Sequence, residues 1–82
     1  MNVRATLAQG REALRRSATE TPDLDAEVLL RHTLRLDRAA LYTHPERALS
    51  ATESTAFQRL VTRRANGEPV AYLVGFLSLI HI

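Results

Sequence analysis

Gly67-Glu68-Pro69-Val70-Ala71-Tyr72-Leu73-Val74-Gly75 is the stretch on which the reading of this chain turns. Gly67 follows Arg63, Arg64 and Asn66, residues suited to the last turn of a helix, and glycine takes the left-handed cap conformation without a Cβ penalty. Pro69 fixes φ near the helical value and suits the first position of a new turn. Val70, Ala71, Leu73 and Val74 are apolar, Tyr72 is amphipathic, and Gly75 is placed to end the turn. The stretch predicts a sharp corner, a short apolar element and a second corner.

Upstream of the corner, Ala56, Phe57, Leu60 and Val61 follow the helical period back to Ser50-Ala51-Thr52-Glu53. That tetrapeptide has the spacing of a capping box, in which serine and glutamate satisfy two orphan amides reciprocally. Residues 45–49 read as a loop. Before it, Asp37 caps a short helix from Arg38 to about Thr43 that contributes Leu41 and Tyr42, and His44-Pro45 ends it. Further back, Thr21 as cap, Pro22 at the first position and the acids Asp23, Asp25 and Glu27 start a helix that ends near Arg35 or Leu36. Leu24, Val28, Leu29, Leu30 and Leu34 give it an apolar surface wider than one stripe, which predicts a central position. Glu27 and Arg31 have the spacing of a favourable i,i+4 pair, as have Glu12 and Arg16 in the first helix.

The first helix is expected from about residue 2 to 18, with Val3, Leu7, Leu14 and Ala18 on one face and Gly10 beside it. Glycine there costs about 1 kcal/mol against alanine, so Gly10 either admits a close neighbour or is merely tolerated. No segment alternates like a strand. The fold class is all-α: a small bundle of four helices plus a short fifth.

Eighty-two residues make one small domain with a modest core. Cysteine is absent, which excludes disulfides, thiolate metal sites and cysteine nucleophiles, and fits a reducing compartment. The amphipathic N-terminus with Arg4, Arg11, Arg15 and Arg16 is not a signal peptide. The uncharged run from Pro69 onward is shorter than the ~20 residues a membrane-crossing helix needs, so no membrane partner is expected. All eleven basic residues are arginine, and a formal charge of +2 does not imply a nucleic-acid partner.

Little in the chain suggests chemistry. His32, His44 and His81 are not spaced as metal ligands; His32 is expected at the edge of the core and His44 in a loop. The acidic residues cluster at helix starts, where capping and the helix dipole account for them. Ser17, Ser50, Ser54 and Ser78 lack a nucleophile elbow, and the three glycines form no phosphate cradle. No catalytic, cofactor-binding or metal-binding residue is assigned. Arg59, Arg63 and Arg64 share one helical side, which Arg15 and Arg16 join if their helices are antiparallel neighbours. Such a surface is either a solvated face or a site for an acidic protein or RNA.

Three segments in order resemble a known family: Asp25-Ala26-Glu27-Val28-Leu29-Leu30, then Leu36-Asp37-Arg38-Ala39-Ala40-Leu41-Tyr42, then Gly67 to Gly75. Together they are similar to the N-terminal helical domain of the release-factor glutamine methyltransferases (the PrmC/HemK family), over residues 1–75. The G-E-P-V-A-Y-L-x-G stretch is the most specific of the three. The resemblance implies an enzyme that methylates the glutamine of the Gly-Gly-Gln motif of peptide chain release factors, with S-adenosylmethionine as donor, in the cytoplasm. It also implies that the helical domain docks the release factor and orients a separate catalytic methyltransferase domain. The family's glycine-rich donor site and Asn-Pro-Pro-Tyr motif belong to that second domain, and neither occurs in these residues, so no cofactor is expected here and the fragment alone is expected to be inactive. Partner contacts are expected at Arg63, Arg64, Glu68 and Tyr72, the polar groups at the corner nearest the catalytic domain; the competing reading of Tyr72 is a half-buried ring with its hydroxyl at the surface. Direct nucleic-acid binding is not expected. An alternative is a free-standing helical interaction module without enzymatic activity. Residues 76–82 depart from the family pattern and are expected to be a non-native tail, from a truncated gene, a frameshift or translated vector sequence. This run is uncharged, β-prone and free of proline, an aggregation liability if exposed.

Overall fold

The computed structural model describes the backbone over residues 1–80 and side chains over residues 1–75. Five helices follow one another: α1 Val3–Arg16, α2 Pro22–Leu34, α3 Arg38–Thr43, α4 Ala51–Ala65 and α5 Val70–Ile80. Among the described residues there is no strand, only an isolated antiparallel bridge between Asn2 and Ala48. The all-α bundle of four helices and a fifth is what the sequence pattern calls for.

The helix starts follow local chemistry. Asn2 caps α1, its Oδ1 accepting from the Ala5 amide at 2.9 Å. The Val3 and Arg4 amides donate to the carbonyls of Arg47 and Pro45, and Leu49 N donates to the Met1 carbonyl. Loop 45–49 therefore closes the start of α1. Asp37 caps α3 by accepting from Ala40 N at 2.7 Å. Both bonds of the Ser50–Glu53 capping box form, at 3.1 and 2.9 Å. Thr21, in contrast, does not cap the α2 backbone: its hydroxyl donates to Asp25 Oδ1 at 2.9 Å.

Two helix ends differ from the sequence expectation. The first helix stops at Arg16, and Ala18 turns left-handed at φ 62° and is exposed, so it does not extend the buried face. Thr19 N reaches back to the Leu14 carbonyl, a bond that offsets part of the roughly 1–2 kcal/mol cost of a left-handed alanine. Gly75 does not end the last element: α5 runs through it to Ile80, and an interior glycine costs only about 1 kcal/mol. The backbone of residues 76–80 is thus part of α5; residues 81 and 82, with His81, lie outside the described residues.

Helix α2 touches all four others, as its apolar girth requires. Leu14, Leu29, Leu30, Leu41, Phe57 and Leu73 are sealed from solvent, each contributing about 1.5–3 kcal/mol by burial. Its outward sector is the exception. Leu24 is 56 % exposed and Val28 half-buried, because the neighbouring helices cover the other sides. Gly10 proves to be a close-approach position: a Cβ there would lie 2.6 Å from Phe57 Cζ, the tip of a fully buried ring. Of the two helical pairs, Glu12 and Arg16 meet at 3.3 Å. Glu27 instead turns to α3, and Arg31 Nε reaches the Leu36 carbonyl.

Candidate functional site

The corner between α4 and α5 gathers the four residues expected to contact a partner. Gly67 adopts φ +101°, and the chain reverses with Gly67 N on the Arg64 carbonyl and Glu68 N on the Arg63 carbonyl. This turn carries Glu68 back onto the last turn of α4. There Arg63 grips its carboxylate in a fork, Nε to Oε2 and Nη2 to Oε1, both at 2.7 Å. The same guanidinium lies 5.8 Å from the centre of the Tyr72 ring, within cation–π range. Tyr72 is 56 % exposed, more open than a half-buried core ring.

Arg64 points the other way. Its Nε donates to Asp25 Oδ2 at 2.9 Å, and its Nη1 reaches the Glu68 carbonyl at 3.3 Å. Asp25 is buried, with its second oxygen taken by Thr21. One guanidinium therefore ties the end of α4 to the first turn of α2 and to the entry of α5.

The electrostatics follow from this geometry. The Arg63 fork holds the Glu68 carboxyl below its ordinary value of 4.5, and Glu68 in turn raises Arg63 above its ordinary value. A carboxyl with a depressed folded pKa contributes stability above its unfolded pKa and loses it as pH falls through the folded value. Glu53 behaves alike: the Ser50 amide lowers it first, and Arg47, at 3.1 Å, adds to the effect.

The anticipated basic surface of Arg59, Arg63, Arg64, Arg15 and Arg16 is largely neutralised. Arg63 faces Glu68, Arg64 faces Asp25, Arg15 faces Asp23 at 2.6 Å, and Arg16 faces Glu12. Asp25 and Glu27 are more than helix-start acids: both are buried and engage cations on other helices. His32 is exposed rather than at the core edge, and His44 is exposed in its loop. Among the described residues no three His, Cys, Asp or Glu side chains form a group that could hold a metal ion, and no helix is long and apolar enough to cross a membrane.

A second cluster escaped the sequence reading. The Tyr42 hydroxyl donates to Glu27 Oε1 at 2.6 Å and accepts from Arg11 Nη2 at 2.7 Å. Arg38 Nε lies 3.4 Å from the same carboxylate oxygen. Arg11, Glu27, Arg38 and Tyr42 come from three helices, and no local motif joins them. The one available signal was a glutamate at a position shielded by apolar neighbours, Ala26 and Leu30, which implies a partner when buried.

Comparison with known proteins places this geometry in a family. Residues 5–75 match the family described as PrmC N-terminal domain. The chain is similar to the release factor glutamine methyltransferase of Shewanella oneidensis, 51 % identical over 59 residues, covering 72 % of this chain and 21 % of the relative. The protein of the same name from Xylella fastidiosa strain Temecula1 is 52 % identical over 64 residues, 77 % of this chain and 23 % of the relative. That from Koribacter versatilis is 37 % identical over 75 residues, 92 % and 27 %. The chain spans about a quarter of the length of these relatives. No solved structure matches it significantly. With the match running from α1 into α5 and including the Gly67 corner, the chain belongs to the PrmC N-terminal domain family.

Proposed function

We propose that this helical bundle is the substrate-docking domain of a peptide chain release factor N5-glutamine methyltransferase. The observation that carries the reading is the family match over residues 5–75, which includes the corner from Gly67 to Gly75. On this reading the bundle, residues 1–75, binds the release factor and sets the position of a methyltransferase domain, which takes S-adenosylmethionine and methylates the Gly-Gly-Gln glutamine. Residues 76–82 lie beyond the family match. Its setting is the cytoplasm, where release factors work. The corner supports an orienting role: Arg64 and the Arg63–Glu68 fork brace the direction in which α5 leaves the bundle. The chain itself contributes binding and no methyl transfer.

The test is to titrate the chain with a purified release factor, and separately to incubate the two with S-adenosylmethionine and follow glutamine methylation by mass spectrometry. Binding without methylation is the expected result. No binding overturns the docking role, and turnover by the chain alone overturns the assignment of chemistry to another domain.

A further inference from the structure

Charge is not evenly distributed over this bundle. Of the arginines on the facing parts of α1 and α3, Arg38 has a carboxylate partner, the buried Glu27, while Arg11 meets the Tyr42 hydroxyl and the Asp23 carbonyl, the Asp23 carboxylate being taken by Arg15. Two arginine charges, those of Arg4 and Arg11, thus stand without a carboxylate partner, in a chain whose formal net charge is +2. Among the described residues no carboxylate pairs with Arg4 or Arg11.

The three arginines are brought toward one another because the last turn of α3 and the loop after it reach α1. Tyr42 meets Arg11, and the loop after α3 meets the start of α1, Arg4 N donating to the Pro45 carbonyl. Arg4 and Arg11 are two turns apart on one side of α1, about 10 Å at 1.5 Å per residue. Between the cations Tyr42 stands 46 % exposed, its hydroxyl fixed by Arg11 and Glu27. Held in this way, Arg11, Arg38 and the ring lose little further freedom on association. Arginine and tyrosine are also the residues that most often dominate binding energy at protein interfaces.

We infer that the face formed by Arg4, Arg11, Arg38 and Tyr42 docks an acidic protein segment, with carboxylates against the arginines and an apolar side chain against the Tyr42 ring. Two arginines without carboxylate partners are few for neutralising a run of phosphates, which favours protein over nucleic acid. That the segment belongs to a release factor rests on the function proposed above; its acidity does not.

The experiment compares the intact chain with Arg4→Gln/Arg38→Gln, which removes two exposed charges and the 3.4 Å Arg38–Glu27 ion pair while retaining Arg11, Tyr42 and Glu27 themselves, and with Arg59→Gln on α4 as control. Circular dichroism melting first verifies that all three fold alike. Each is titrated with purified release factor, with a short polyglutamate peptide and with a short single-stranded RNA. The double variant is expected to lose roughly fivefold or more in affinity for the release factor, with on-rate and salt sensitivity reduced, and the control to change less than about twofold. Release-factor binding that ignores the double substitution overturns this face while leaving the docking role intact. Binding of polyglutamate through Arg4 and Arg38, without release-factor binding, retains the face and overturns the docking role. Failure to bind either acidic probe, or a preference for RNA, overturns the inference.

Discussion

The α4–α5 corner and the α1–α3 face are each rich in arginine, yet the structure uses the two sets differently. At the corner Arg63 and Arg64 are engaged by Glu68 and Asp25, and their charge is absorbed in holding helices together. Across the α1–α3 face one buried glutamate serves Arg38 and, through Tyr42, Arg11, so positive charge remains to be met from outside. The contrast separates cations that build the fold from cations that face outward. A count of arginines along the sequence does not reveal it.

Removing a structural cation should have the largest effect. Arg64→Ala strands the buried Asp25 carboxylate and should cost about 2–3 kcal/mol, below the range for fully buried pairs because Arg64 keeps some solvent contact; urea unfolding measures it. Gly67→Ala forces a Cβ into φ +101° and should cost about 1–2 kcal/mol with no clash to relieve, since nothing lies within 4 Å. Glu68→Gln should cost less at neutral pH. Its diagnostic is the acid limb: the stability gap between wild type and variant should shrink as pH falls below 4.5 and vanish once Glu68 is protonated in the folded state. Arg4→Gln, by contrast, should leave stability within about 0.5 kcal/mol. A large stability loss at Arg4 or none at Arg64 would erase the distinction between the two regions.

What could be read in advance was whatever a few adjacent residues decide. The Asp37 cap, the Ser50–Glu53 box and the Gly67 turn each depend on neighbours within four positions, and each forms. The helix period likewise placed Leu29, Leu30, Phe57 and Leu60 in the core. Asp25 and Arg64 are 39 residues apart, so nothing local marks them as partners. Thr21 has the composition of a cap, but Asp25 competes for its hydroxyl. Gly75 resembles the glycine that stops α4, yet no reversal follows it and α5 continues. Of the candidate site, the grouping of Arg63, Glu68 and Tyr72 was legible because one turn links them. The cluster around Glu27 was not, since three helices must assemble before it exists.

The tie between the two ends of loop 45–49 and the first residues of α1 bears on the order in which the bundle can be completed. During synthesis α1 leaves the ribosome before loop 45–49, and the carbonyls that receive its Val3 and Arg4 amides belong to residues made some forty positions later. Until Arg47 has emerged those amides face water, and the helix start is free to fray. The start of α1 is therefore expected to be locked only after α2 and α3 have been made but before α4 and α5 are complete, with vectorial synthesis setting the delay.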